Sequence, residues 1–258
     1  MPVLRFKPGR VEEALGLPLA EALKLVERLK VEAEVVEDGY VELEVEVDRP
    51  DMYSLEGIAR QAAGLLGREK GLVRYETIDS GYTIYASKVE PRPYIAGAVV
   101  WNVNVDEDFL EELIQFQEKL HGSLGSARQR MAIGLHDLDK LPSRELRYTM
   151  ERIDDVKFVP LGGSEEMTLR RVLEETSQGR SYGSIALRDD THPVLRSGDR
   201  VISVPPVINA EDTRIEPGTR HIFIDVTGTD LNVVLDTLSI IASSLAERGG
   251  RRIGLVRV

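Results

Sequence analysis

The sequence contains no cysteine. Disulfides, a thiolate nucleophile and thiolate-bound zinc are therefore all excluded. Histidine is scarce, with only His121, His136, His192 and His221 present. None of them stands in HExxH or a comparable ligand spacing, so no metal site is expected. There is no GxSxG elbow, and hence no local sign of a serine triad. The stretch QGRSYGS (178–184) lacks the lysine and serine of a phosphate-binding loop and reads as an ordinary glycine-containing loop. No apolar run approaches membrane-spanning length, and the opening residues MPVLRFKPGR carry no signal-peptide core. A cytoplasmic protein with no membrane contact is the expectation. Positive charge is also short: 33 Lys and Arg face 44 Asp and Glu, a net charge of −11. Such a chain is not built to hold a nucleic-acid backbone by electrostatics alone.

What is present suffices for a large core. At 258 residues, 42% hydrophobic and 30% charged, the chain can form one large domain with a smaller companion. A short strand over Val3 to Phe6 and a turn at Pro8–Gly9 open it. Leu17 to Lys30 has the spacing of a helix. The segment VEAEVVEDGYVELEVEV alternates apolar and acidic residues on both sides of Asp38–Gly39, which predicts a hairpin with solvated Glu42, Glu44 and Glu46. A helix follows, capped by Asp51 or Ser54 and burying Ile58, Ala62, Leu65 and Leu66. Residues 67–93 read as a connector and an early strand, with the domain boundary at about residue 80 and a separate core on either side. Beyond it, strands are expected at Tyr94 to Val103, Met131 to Leu135 and Arg147 to Ile153. Helices are expected from Asp106 to His121 and from Thr168 to Thr176. Gln117 lies on or beside the apolar stripe of Phe109, Leu113, Phe116 and Leu120. Its amide is either satisfied by backbone or faces a ligand cavity.

The stretch from Arg200 to Asp230 organises the rest. It reads as a strand (Arg200 to Val204), a stop at Pro205–Pro206, a polar loop, and a second strand (His221 to Thr227). In the second strand Ile222, Ile224 and Val226 share one face, while His221, Phe223, Asp225 and Thr227 share the other. Asp225 and Thr227 thus point the same way, roughly 7 Å apart. That face is either solvated or the wall of a small polar pocket. Asp230 or Thr229 then caps a long helix that ends at Gly249–Gly250, and RIGLVRV forms a closing strand. The whole reads as an α+β protein: a small N-terminal α+β domain, 1–80, before a larger mixed α/β domain, 81–258.

SVPPVIN (203–209) followed by FIDVTGTD (223–230) resembles the editing domain, B3/4, of the phenylalanyl-tRNA synthetase β subunit of archaeal and eukaryotic type. FQEKLH (116–121), AIGLHDLD (132–139), KFVPL (157–161) and HPVL (192–195) agree in the same order. DRPDMYSLEG (48–57) is similar to the end of that subunit's N-terminal B1 domain. The resemblance spans nearly the whole chain and implies an N-terminal fragment with B1 and B3/4 domains. It implies hydrolysis of tyrosine mis-attached to the 3′ end of the phenylalanine tRNA. Partners would be that tRNA end and, in the intact (αβ)2 enzyme, the catalytic α subunit. No cofactor is implied for editing; ATP and magnesium are implied for synthesis by the intact enzyme.

The resemblance also implies roles for particular residues. Leu195, Ser203, Asp225 and Thr227 would recognise the tyrosine hydroxyl. Gln117, Glu118, Arg128 and Asn209 would lie near the scissile ester, and Leu161 and Arg214 would meet the terminal adenosine. The spacing from QEKLH to AIG also admits Arg130 in place of Arg128. Without a conventional nucleophile, hydrolysis would rest on oriented water and a polarised carbonyl, work that amides, guanidinium groups and backbone N–H can do. One competing reading is a non-catalytic module that positions tRNA or the α subunit. Another is a free-standing relative acting on a different acyl-tRNA, against which the B1-like segment speaks.

Overall fold

The computed structural model describes residues 1–258. Its first unit runs β1 (Val3–Phe6), α1 (Pro8–Leu15), α2 (Leu19–Glu27), β2 (Glu32–Val35), β3 (Val41–Glu44) and α3 (Leu55–Leu65). The strands form a small antiparallel sheet in the order β1-β3-β2, with the Asp38–Gly39 hairpin joining the last two. Helix α1 stands where a turn is expected at Pro8–Gly9. Pro8 occupies the start of the helix, where its missing N–H costs nothing, and Val11 and Leu15, four apart, bury one side. Ser54 caps α3 by accepting from Gly57 N–H at 3.1 Å, and Asp51 pairs instead with Arg49.

The second unit contains β4 (Glu76–Ala86), β5 (Tyr94–Val100), α4 (Glu107–Gly122), β6 (Met131–Asp137), β7 (Glu145–Arg152), β8 (Lys157–Phe158) and β9 (Met167–Thr168). It continues with α5 (Leu169–Glu175), α6 (Ser177–Ala186), β10 (Thr191–Ser197), β11 (Arg200–Val204) and β12 (Ile208–Asn209). Strand β13 (Ile222–Gly228), α7 (Leu231–Arg248) and β14 (Arg252–Arg257) close the chain. Nine strands form one mixed sheet in the order β12-β11-β10-β7-β4-β14-β5-β13-β6, with β4 parallel to both β7 and β14. β8 and β9 make a separate two-stranded ribbon. No helix is long and apolar enough to cross a membrane.

Strand β13 is buried on both faces. Ile222, Ile224 and Val226 pack with Ala96, Ala98 and Val100 of β5 and with Ile241, Ala242 and Leu245 of α7. Phe223, on the other face, packs with Ile84, Val99, Leu146, Tyr148 and Leu195. The solvated-face alternative for Asp225 and Thr227 is thereby removed, since they are only 1% and 0% exposed.

The separate core expected for residues 1–80 is not found. Leu4, Phe6, Leu43, Ile58 and Ala62 belong to the same continuous apolar cluster as Val226, Ile241 and Leu245. Ser54 and Ser244 share a buried hydrogen bond of 2.8 Å across that contact. Residue 80 itself falls inside β4, so the large sheet begins at Glu76. The small sheet turns Leu4, Phe6, Val41 and Leu43 into that shared cluster, and α3 meets α7 within it.

QGRSYGS also differs from expectation: it lies in helix α6. Its glycines are contact points rather than loop residues. A Cβ on Gly179 would lie 2.1 Å from the Val172 carbonyl oxygen, and one on Gly183 would lie 2.9 Å from Leu173 Cδ2. Thr176 caps this helix through Gly179 N–H at 2.9 Å.

His192 is wholly buried under α6. Its Nδ1 lies 3.1 Å from the Pro193 carbonyl oxygen, so Nδ1 carries the proton, while Nε2 has no partner. Burial pushes the imidazole down to about 4, against the pull of the Pro193 and Gly183 main-chain carbonyls. Between the unfolded value of about 6.5 and that value, the unfolded chain binds the extra proton, so stability falls as pH falls. Lowering pH from 7 to 5 is expected to cost roughly 2 kcal/mol through this group. Urea denaturation of the wild type and His192→Leu at both pH values checks it. The variant should lose that part of the pH dependence, and an unchanged dependence refutes the assignment.

Candidate active site

A cavity of about 600 Å³ opens between α4, edge strand β6, the Pro205–Asn209 loop and the start of α6. Its inner wall is Asp225 of β13. Opposite Asp225 in β6 stands Gly134, where a Cβ would come within 2.2 Å of Asp225 Oδ1. The missing side chain makes room for the carboxylate. His136, two residues on, reaches the same oxygen with Nε2 at 2.9 Å, and its Nδ1 meets Thr213 Oγ1 at 2.7 Å. Asp225 is thereby fixed through Oδ1, and Oδ2 is left for a group in the cavity.

Two amides flank this carboxylate. Gln117 Nε2 donates to the Ile133 carbonyl at 2.8 Å, and Asn209 Nδ2 donates to the Leu135 carbonyl at 3.1 Å. Both carbonyls belong to β6, which has no neighbouring strand on that side. The amides thus satisfy a bare sheet edge while both residues line the cavity. The two alternatives for Gln117, backbone-satisfied or cavity-facing, hold together.

An ion pair of Arg128 and Glu118, with His121 behind it, forms the side wall. Arg128 Nη2 donates to Glu118 Oε1 at 2.7 Å, and Nη1 donates to the carbonyls of Pro206 (3.2 Å) and Val207 (3.1 Å). Its guanidinium stacks 4.3 Å from the Tyr182 ring centre, and Nε is buried without a partner. Ile133 N–H donates to His121 Nε2 at 2.9 Å, so neutral His121 carries its proton on Nδ1, which donates to Glu118 Oε1 at 3.1 Å. Burial pulls His121 below the ordinary imidazole range against the pull of Glu118. Burial pushes the Glu118 carboxyl up, but the His121 hydrogen bond and the Arg128 charge outweigh it and hold the carboxyl low.

Eight of the ten residues singled out in the sequence line this cavity: Leu161, Gln117, Glu118, Arg128, Ser203, Asn209, Arg214 and Asp225. Leu161 and Arg214 lie at its exposed mouth, where Arg214 pairs with Glu211 at 3.2 Å. Arg130 does not line it; that side chain is half exposed and stands 3.5 Å from Asp230.

Leu195 and Thr227 are not brought to the cavity. Leu195 pairs with Ser203 across β10 and β11 but points into the core beside Phe223. Thr227 shares the Asp225 face, yet its hydroxyl accepts from Arg92 Nε at 3.2 Å. That guanidinium is itself fully buried.

No model of a known protein family matches the chain. Individual relatives do. The chain is 52% identical, over 259 aligned positions, to the phenylalanine–tRNA ligase β subunit of Aeropyrum pernix, covering all of this chain and 47% of that protein. It is 42% identical to the subunit of the same name from Sulfurisphaera tokodaii, covering all of this chain and 48% of that one. Among solved structures it matches an N-terminal fragment of the phenylalanyl-tRNA synthetase β subunit from Pyrococcus horikoshii, with a TM-score of 0.90 and 38% identity. That match covers 98% of this chain and 75% of the other.

The chain belongs to the phenylalanyl-tRNA synthetase β-subunit family. It spans about half the length of the curated relatives it matches.

Several residues of this β-subunit site are not apparent from the sequence. His136 and Thr213 become visible only through the register of β6 against β13, which sets His136 opposite Phe223 and diagonal to Asp225. Ser177, Gln178, Ser181 and Tyr182 enter because their segment is a helix. No group of three or more His, Asp or Glu side chains is arranged to hold a metal ion.

Proposed function

We propose that this chain carries an editing site of the synthetase, which hydrolyses the ester joining mis-attached tyrosine to the 3′-terminal adenosine of the phenylalanine tRNA. The observation that carries the reading is the buried Asp225 carboxylate at the inner wall, held on one oxygen and open on the other. Such a group accepts a hydrogen bond from a phenol, and a phenylalanine ring would leave it dry and unpaired. Sites that hydrogen-bond a hydroxyl reject the analogue lacking it by as much as roughly 10⁴–10⁵. Leu113, Ile133, Leu135 and Ile215 supply apolar surface for the ring.

On this reading the scissile ester lies between the amides of Gln117 and Asn209, beside the Arg128–Glu118 pair. Water attacks the ester carbonyl, and the bond to the ribose oxygen breaks as that oxygen takes a proton. The amide oxygens orient the water, and N–H donors not engaged by the chain steady the developing oxyanion. Leu161 and Arg214 at the mouth receive the terminal adenosine. The net charge of −11 fits a part that handles only the acylated end, with the tRNA body held elsewhere on the (αβ)2 enzyme. The synthetic reaction, with its ATP and magnesium, belongs to the α subunit, and the assembly works in the cytoplasm.

The test is deacylation of tyrosyl- and phenylalanyl-esters of the phenylalanine tRNA by the (αβ)2 enzyme that contains this chain. Tyrosine is expected to leave at least about 10²-fold faster than phenylalanine. Rates equal to those in buffer would replace this reading with that of a non-catalytic positioning module. Such a module is favoured only by the extent to which Arg128 and Glu118 already satisfy each other.

A further inference from the structure

Arg92 is the largest fully buried side chain of the protein, and no carboxylate pairs with it. Its Nε donates to Thr227 Oγ1 at 3.2 Å and Nη2 to the Thr227 carbonyl at 2.8 Å. Nη1 donates to the carbonyls of Arg128 (3.0 Å) and Gln129 (3.3 Å). Tyr148 in turn fixes the Arg92 main chain through a hydroxyl bond of 3.1 Å. A cation so buried, with only neutral acceptors, is costly; burial pulls the guanidinium down to about 10. A hydrophobic residue would fill the space at lower cost, so what the guanidinium holds is the question.

It holds a strained turn. Ser126, Ala127 and Arg128 are consecutive non-glycine residues with φ of 49°, 53° and 67°. Each left-handed residue is strained by its Cβ and persists only where its surroundings impose it. The main chain contributes Ser126 N–H to the Ser123 carbonyl (3.1 Å), Gln129 N–H to the Ser126 carbonyl (3.2 Å), Arg130 N–H to the Gly125 carbonyl (2.8 Å) and a long Arg128 N–H bond to His121 (3.4 Å), none of which engages the carbonyls of Arg128 and Gln129. The carbonyls at the end of the turn are taken by Arg92. The same turn aims Arg128 across the cavity toward Glu118, Tyr182 and the Pro206–Val207 carbonyls.

We infer that Arg92 is a positioning residue: tethered by Thr227, it holds the left-handed Ser126–Arg128 turn in the conformation that presents Arg128 to the cavity. This rests on the editing reading for its catalytic consequence, but not for its structural one. It also gives Thr227 a role apart from the substrate. Lysine cannot replace the guanidinium here, because a single ammonium lacks the planar fork that spans Thr227 and the two turn carbonyls.

The experiment has two arms. Hydrogen exchange of the 125–130 amides is measured in the wild type, Arg92→Lys and Arg92→Gln, with the sheet amides of β13 as an internal measure of global folding. Exchange in the turn should rise at least about 10-fold in both variants relative to the β13 amides. Arg92→Lys retains the charge and is the variant to read if Arg92→Gln fails to fold. In the second arm, kcat for tyrosyl ester hydrolysis should fall roughly 10²-fold in Arg92→Gln, with KM within about 3-fold. In an Arg128→Ala background the same change should cost less than about 3-fold further. Equal losses in both backgrounds, or turn exchange unchanged relative to β13, overturn the inference. If the wild type has no deacylase activity, the editing reading fails and the exchange arm alone decides what Arg92 holds.

Discussion

Replacing Asp225 by alanine is expected to give an enzyme that attacks its correct product. In the wild type, a phenylalanine ring entering the cavity leaves Asp225 Oδ2 desolvated without a donor. The penalty for such a group is about 1–3 kcal/mol, and more when it is charged. The tyrosine hydroxyl gains a hydrogen bond to a carboxylate, worth about 1.5–3 kcal/mol. Asp225→Ala removes both terms, so the tyrosine-to-phenylalanine ratio of deacylation rates should collapse by roughly 10²–10⁴-fold. Part of that collapse should be a rise in phenylalanyl ester hydrolysis, which simple damage to the site cannot produce. Thr227→Val is the contrast. Its hydroxyl is engaged by Arg92 rather than by the cavity, so the ratio should stay within about 3-fold even where the absolute rate falls. Deacylation of both esters by both variants decides the matter. If Asp225→Ala only slows tyrosine and still spares phenylalanine, discrimination lies elsewhere.

How much of this was legible in the sequence follows from the range of each interaction. The β13 alternation, the Asp38–Gly39 hairpin and the caps at Ser54 and Asp230 are local, and all take the expected form. Helix α6 was illegible because its glycines mark a close helix–helix approach, and the sequence shows the glycine without the neighbour. The shared core was illegible for a related reason. Periodicity says that a face is apolar, never which other face covers it, and α3 meets α7 across nearly the length of the chain. Resemblance brought eight cavity residues together but placed Thr227 and Leu195 with them. Thr227 does share a strand face with Asp225, as the alternation implies; that Arg92, from the expected connector, packs before it depends on tertiary structure. His136 was singled out only to dismiss a metal. Its actual place beside Asp225 needs the cross-strand register.

The amides carry the last expectation. Gln117 and Asn209 hang from the Ile133 and Leu135 carbonyls, two residues apart on one strand edge, hence roughly 7 Å from one another along β6. A carbonyl carbon and its attacking water fit between two such anchors. Each amide keeps an oxygen and one N–H beyond the bond to the strand, so each can orient water or donate to an oxyanion without rearranging. Because the anchoring bonds are already made in the free protein, no reorganisation is needed as charge develops, the condition under which such donors matter most. Gln117→Ala and Asn209→Ala are each expected to lower kcat for tyrosyl ester hydrolysis on the order of 10²–10³-fold. KM should move little, since neither amide is assigned to the ring or the adenosine. If both act on the same water, the double variant will lose less than the product of the single losses. Stability should change little, because each amide is only partly buried and water can reach the carbonyl it leaves. Single-turnover deacylation with thermal melts of the three variants makes the comparison. Single-variant rates within about 3-fold of wild type would leave the amides as caps of the β6 edge and nothing more.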